Sequence, residues 1–146
     1  MPEPIPSALT TTMLDTYWDS NNVAEPTMFD VNSGTVGVRA NLRNPGGDHI
    51  IIKIDTPGQE ETPIGNWTYG NRLTRVLLEL YTSSSRQRVY DLMAEVRRIC
   101  HLRMHLETDY QRIQFRNWTE MVNENQNIWS GRIILEYVNN AVLLEV

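Results

Sequence analysis

Two histidines, His101 and His105, have the best spacing for metal binding in this sequence. On a helix, an i, i+4 pair places both imidazoles on one face, but a structural zinc site normally needs four protein ligands. Cys100 points about 100° away from His101 on a helix, and His49 is distant in sequence. The glutamate that follows the first histidine of a zinc-protease motif is also missing. We therefore predict no metal site, and a helix end whose dipole favours cationic side chains.

Other reactive residues do not match catalytic patterns either. A nucleophilic Ser or Cys needs a base held by a third group, whereas Cys100 falls on an apolar helix seam, where a thiol is usually a small hydrophobe. Gly34 and Gly37 lack the spacing and the following helix of a dinucleotide-binding loop. The sequence also marks no carboxylate pair for acid–base chemistry. We predict a protein that is not an enzyme and has no cofactor; a small enzyme with a deep polar pocket is an alternative.

Arginines on one predicted helix define a different alternative, a binding module for nucleic acid or an acidic partner. These are Arg86, Arg88, Arg97, Arg98 and Arg103. Asp91 and Glu95 interleave with them, which favours a solvated face on which Glu95 and Arg98 are spaced to pair. The net charge of −5 argues against a general nucleic-acid binder. Twelve of the thirteen basic residues are arginine, which suits a protein interface but also a lineage bias.

A segment without clear period, residues 56–70, contains two prolines and three glycines. Loops of this length are usually functional or mobile, so we predict a projecting arm or hairpin that contacts a neighbouring subunit. Within it lie the interface candidates Glu60, Glu61, Trp67 and Tyr69.

Three further interface candidates lie outside this loop: Arg86, Arg97 and Trp118. Strand alternation places Trp118 on the face opposite Ile113 and Phe115. An exposed Trp on a sheet face would be a strong interface candidate. Alternatively, the N-terminal helix covers that face.

The remaining composition is that of one ordinary domain spanning residues 1–146. A single cysteine excludes an internal disulfide, and no run of eighteen apolar residues could span a membrane. The first residues lack the charged and apolar regions of a signal peptide. We therefore expect a soluble protein that folds in a cytoplasm.

Apolar periodicity and turn residues predict the order of elements. After a proline-rich extended arm at residues 1–6, Ser7 is expected to cap a helix that continues to about Asn21. Serines 83–85 break a strand and cap the long helix. The predicted strands cover residues 27–31, 35–40, 50–54, 72–82, 110–121 and 128–139, the long helix covers 86–104, and residues 141–146 form a possible last strand. Since strands cluster on either side of one long helix, we predict an α+β fold, with an antiparallel sheet of about four to six strands.

This order of elements resembles the small neck and tail-completion proteins of tailed viruses, both bacteriophages and archaeal tailed viruses. The resemblance lies in the strand at 73–81, the helix at 86–100, and the segment 110–115 that leads into a hairpin ending at 132–137. The opening helix with Leu14, Tyr17 and Trp18 is also of the kind found in that family.

The resemblance implies a virion structural protein, a tail terminator whose subunits form a ring, commonly of six, at the head–tail junction. Its partners would be other copies of itself, the tail-tube protein and head-connector proteins, with DNA passing through the lumen without specific binding. A stopper or adaptor of the same neck is an alternative. The chain would be assembled in the host cytoplasm and would reside in the virion.

Overall fold

The computed structural model describes residues 5–30, 48–61, 69–105, 112–121 and 128–142. Along the chain the elements are α1 (Pro6–Tyr17), β1 (Thr27–Asp30), β2 (His49–Glu61), β3 (Tyr69–Thr82), α2 (Arg86–Leu102), β4 (Arg112–Met121) and β5 (Trp129–Val142). The strands form one five-stranded sheet in the order β1-β2-β3-β5-β4. All neighbours are antiparallel except β1 and β2, which are parallel. The predicted α+β class is confirmed, with a sheet that is mixed at one edge.

Helix α2 forms where its apolar period predicts it. Ser85 is extended and accepts a hydrogen bond from the backbone N–H of Arg88 at 3.2 Å, so it is the N-cap that the serine run indicated. The buried seam recurs at spacings of three and four: Val89, Leu92, Val96, Ile99 and Cys100. The helix ends at Leu102, two residues before the predicted end, and Arg103 N–H closes the last turn on the Ile99 carbonyl.

Helix α1 begins earlier and ends earlier than its sequence indicated. Its N-cap is Ile5, and Pro6 occupies the first turn, where a missing N–H is harmless. The predicted arm at residues 1–6 is therefore wrong at Pro6, and residues 1–4 lie outside the described chain. Ser7 is a buried helix residue rather than the cap, and its hydroxyl donates to Asp30 Oδ2 at 3.1 Å. The helix stops at Tyr17, and a turn replaces its predicted last residues.

Both helices lie on the same face of the sheet, and the core fills the space between the two layers. Buried residues come from both helices and from the inward positions of β2, β3, β4 and β5. Tyr137 is fully buried among them, and its hydroxyl pairs with that of Thr10 on α1. This pair satisfies two polar groups that burial would otherwise penalise. Among the described residues, no helix is both long and apolar enough to cross a membrane.

The predicted loop at residues 56–70 is wrong at both ends. β2 continues to Glu61 and β3 begins at Tyr69, so the two strands pair far beyond Ile54. Register shifts between Ile54 and Thr56, and between Thr56 and Gln59, let the irregular sequence stay paired. The hairpin alternative therefore describes this segment better than an unpaired arm; residues 62–68 lie outside the described chain.

The strands predicted at residues 27–31, 35–40 and 141–146 differ in outcome. Residues 141–142 continue β5 instead of starting a separate last strand, because β5 pairs with β3 along its full length, up to Tyr69 opposite Val142. The strand predicted at 35–40 lies outside the described residues. The strand predicted at 27–31 is present as β1.

Candidate interface surfaces

Trp118 lies on the helix-covered face of the sheet, so the prediction that it opposes Ile113 and Phe115 is wrong. Phe115 pairs with Leu135 and Asn117 pairs with Ile134, which leaves Arg116 as an extra residue in a β-bulge. A bulge reverses the alternation of all following residues. Trp118 therefore pairs with Ile133 and packs against the core.

Two neighbours fix the Trp118 ring in this position. The Tyr90 ring of α2 meets it edge to face, with centroids 5.7 Å apart and planes at 69°. Gly131 on β5 leaves space for it, since a Cβ atom there would come within 2.1 Å of Trp118 Cη2. Trp118 is thus half-buried between helix and sheet and is not an exposed interface anchor.

Arg86 is engaged within the chain. Its Nε and Nη2 donate to the two oxygens of Glu120 at 2.6 and 2.9 Å, and the Tyr90 hydroxyl donates to the same carboxylate at 2.9 Å. The hydrogen bonds from Arg86, then from Tyr90, lower the pKa of Glu120 below its usual value. This bidentate pair joins the start of α2 to the end of β4.

Arg88, Arg98 and Arg103 also have partners within the chain. Arg88 donates to Asp48 Oδ2 at 2.7 Å and to the Ala24 carbonyl at 2.6 Å. Arg98 pairs with Glu95, as its spacing predicted, and also donates to the Tyr17 carbonyl at 2.8 Å.

Arg103 stacks over the Tyr17 ring at 4.6 Å. Glu95, which was expected on a solvated face, is 3% exposed instead. Of the five helix arginines, Arg97 alone makes no hydrogen bond, ion pair or ring contact with a described residue.

The other predicted interface residues fall in or near the β2–β3 hairpin. Glu60 pairs with Arg72, Glu61 with Asn71, and Tyr69 with Val142 through the backbone. Trp67 lies outside the described residues. The structure therefore brings Arg86 and Trp118 together beside Tyr90, while the register places Glu60, Glu61 and Tyr69 at the far end of β2 and β3.

A charged surface that sequence reasoning missed lies on the outer sheet face, by which we mean the side opposite both helices. Its charged residues come from four strands: Lys53, Glu79, Arg75, Arg132, Glu136, Arg112 and Arg116. Alternation had placed Arg75 and Glu79 outward in β3, but only the strand pairing shows which residues of β2, β4 and β5 lie beside them.

Two carboxylates of the outer sheet face are largely buried, and each lies beside at least one cation. Glu136 lies between Arg75 and Arg116, whose Nε atoms are 3.6 and 3.9 Å from Glu136 Oε2. Glu79 contacts Lys53 Nζ at 2.7 Å and accepts a hydrogen bond from the Tyr81 hydroxyl at 2.9 Å. Burial, followed by the charge of Glu79, raises the pKa of Tyr81 to about 12. The Tyr81 phenol therefore stays a neutral donor at all ordinary pH values.

Cys100, His101 and His105 lie in different surroundings. Cys100 is buried in the core, and desolvation raises the pKa of its thiol to about 12, so it is not a ready nucleophile. His101 lies in the last turn of α2 and His105 lies in the turn that follows, so the expected helical spacing of the pair is wrong; both side chains are exposed. Within the described ranges, no group of three or more His, Cys, Asp or Glu residues could hold a metal ion.

A cavity of about 270 Å³ lies between α1 and the segment leading into β1. Asp15 and Glu25 line it together with Thr11, Thr12, Pro26 and Met28. A hydrogen bond with the Asp15 side chain, then burial, and then the Asp15 charge raise the pKa of Glu25. We call this carboxylate pair and its lining the acidic pocket.

Replacing Asp15 with Asn should lower the pKa of Glu25 toward its ordinary value. Because this pKa is raised in the folded state, the protonated carboxyl contributes stability below the unfolded pKa, and that stability is lost as pH rises through the folded pKa. The Asp15→Asn variant should therefore lose less stability than the wild type as pH rises from the unfolded pKa of Glu25 to its folded pKa. Carboxyl-carbon NMR titration of Glu25 and urea unfolding at several pH values measure both effects. An unchanged Glu25 titration would contradict the contact, and Asp91→Asn on α2 serves as the control.

No protein-family model matches this chain. A search of curated proteins also finds no match.

Proposed function

We propose that this protein is a virion structural protein, a tail terminator or tail-completion subunit that forms a ring at the head–tail junction of a tailed virus. The observation that carries the proposal is the arrangement of its elements. An N-terminal helix and a longer central helix lie on one face of a mainly antiparallel sheet, and the chain closes with the antiparallel pair β4–β5. This is the arrangement that the family resemblance implies.

The chemistry of the described residues supports a role in assembly. The nucleophile candidate Cys100 is fully buried in the core. Three arginines form ion pairs with carboxylates within the chain: Arg86, Arg88 and Arg98. The arginines of α2 therefore offer few unpaired donors to phosphate groups, which weakens the nucleic-acid alternative for this helix. A stopper or adaptor of the same neck differs from a terminator in its partner, and the test below separates these roles by partner.

The test combines light scattering with negative-stain imaging of the purified chain, alone and mixed with tubes of the tail-tube protein encoded in the same genome. We expect rings that bind tube ends. Binding to head-connector rings but not to tubes would instead identify a stopper or adaptor. A protein that binds neither partner, or a genome without portal and tail-tube genes, would contradict the proposal. Duplex DNA binding that weakens steeply with salt would favour a nucleic-acid binding module.

A further inference from the structure

Charge is distributed unevenly over the two sides of this molecule. On the outer sheet face, five cations, Lys53, Arg75, Arg112, Arg116 and Arg132, lie near the two carboxylates Glu79 and Glu136, and a third carboxylate residue, Glu61, pairs with Asn71 at the hairpin end of this face. The whole chain has a net charge of −5. Because the outer sheet face is positive, the residues outside it have a net charge more negative than that of the whole chain.

The cations also project further than the carboxylates. The side chains of Arg75 and Arg116 are 46% and 47% exposed, whereas that of Glu136 between them is 8% exposed. Lys53 is 38% exposed above Glu79 at 13%. Arg112 and Arg132 are exposed and make no ion pair with any residue in the described part of the chain. A partner approaching this face meets positive charge first.

On the helix-covered side, the region of α1 and β1 carries the complementary charge, whereas α2 on that side carries arginines. The described segment 5–30, which contains α1 and β1, has four carboxylates and no Lys, Arg or His. Asp19 and Asp30 accept hydrogen bonds within the chain, but Asp15 and Glu25 are exposed in the acidic pocket. Since α1 packs on the helix-covered face, the sheet separates the acidic pocket from the outer sheet face.

We propose that the outer sheet face of one subunit binds the acidic pocket surface of a second copy, so that subunits associate head to tail. This proposal deepens the proposed function, on which it rests, by naming the two surfaces that meet between ring neighbours. Two outer sheet faces would repel each other, which disfavours a two-fold dimer through this surface. A contact between two different surfaces is heterologous, and it yields a closed ring when its rotation closes.

Charge complementarity favours a second copy over DNA as the occupant. Both complementary surfaces occur on one molecule, so self-association requires no other component. Glu79 and Glu136 within the outer sheet face would oppose phosphate groups, whereas a protein partner can supply cations of its own to such positions. Because the cations are exposed, the contact should weaken as salt increases.

The test uses two charge variants of the full chain with opposite charge changes. Arg112→Glu with Arg132→Gln makes the outer sheet face more acidic, and Asp15→Lys with Glu25→Gln makes the acidic pocket more basic. The control, Ser83→Glu with Gln87→Glu and Ala94→Glu, introduces the same charge change as the first variant at exposed positions in and just before α2. Sedimentation velocity over a concentration and salt series measures association, and circular dichroism melting verifies that each variant is folded.

We expect each surface variant to weaken self-association by about tenfold or more at low salt, and the control to change it by much less. Mixing the two surface variants should give mixed dimers, because the intact outer sheet face of one variant can bind the intact acidic pocket of the other. Equal weakening by the control, or the absence of mixed dimers, would overturn the proposal.

Other outcomes separate this proposal from the ring proposal itself. Rings that persist unchanged in both variants would overturn the proposed contact and leave the proposed function standing. A wild-type chain that never self-associates would also overturn the contact, and tube binding would then decide the function alone. If the Arg112 and Arg132 changes abolish duplex DNA binding while the sedimenting mass stays constant, the outer sheet face is a DNA surface and the proposed contact is wrong.

Discussion

Replacing Gly131 with Ala should destabilise the fold by about 1–3 kcal/mol. An added Cβ would come within 2.1 Å of Trp118 Cη2 and 2.5 Å of Trp118 Cζ3, both on the rigid indole ring. Trp118 would have to leave its contact with Tyr90, or the two strands would have to separate. Urea unfolding measures the loss, as a lower midpoint with an unchanged slope.

A double-mutant cycle assigns the Gly131 effect to this contact. Trp118→Leu removes the ring atoms that clash, so Gly131→Ala should be much less harmful in that background. The adjacent control is Ser130→Ala, on the outer side of the same strand. The Ser130 hydroxyl is buried and has no hydrogen-bond partner among the described residues, so its removal should be neutral or stabilising. Equal losses from Gly131→Ala with and without Trp118 would refute the packing explanation.

Replacing Glu95 with Ala should have a comparable effect, about 1–3 kcal/mol, since the Arg98 side chain left behind is 41% exposed and water can hydrate it. Glu95 is 3% exposed, and its carboxylate pairs with Arg98 through one oxygen. The other oxygen accepts the backbone N–H of Asp19 at 3.2 Å, in the turn that follows α1. Without Glu95, that N–H and the Arg98 guanidinium would both lose a charge-assisted hydrogen bond.

The Glu95 prediction has a clear structural readout. Since Arg98 also donates to the Tyr17 carbonyl, the pair holds the end of α1 against α2, and amide hydrogen exchange should increase first around Tyr17 and Asp19. Asp91→Ala is the control, because that carboxylate accepts only an exposed bond from Gln87 among the described contacts. A loss for Glu95→Ala no greater than that for Asp91→Ala would show that the buried bridge adds no stability.

Local rules predicted those parts of the fold that local interactions control. The α2 seam, its Ser85 cap and the alternation of Val76, Leu78 and Leu80 in β3 depend on residues only a few positions apart. The apolar environment of Cys100 follows from the same helical period. The α+β class then follows from the order of these segments.

The candidate site was harder to predict, because its contacts join distant positions in the chain. Arg86 was correctly placed at the start of α2, but its partner Glu120 is 34 residues away. Arg88 meets Asp48 across 40 residues. An arginine without a partner on its own helix is therefore neutralised by a carboxylate on a distant strand or turn. The helix sequence alone does not indicate which carboxylate that is.

The sequence by itself determined the helix–strand order, the central helix and the absence of a recognised catalytic pattern, since each depends on composition and short periods. Tertiary structure alone decided which surfaces are available. One extra residue at Arg116 turned Trp118 from a predicted surface residue into a packing residue, and pairing among four strands assembled the cations of the outer sheet face. The physical reason is that a strand's two faces alternate by single residues, so register and bulges, which are set by partner strands, decide what each face presents.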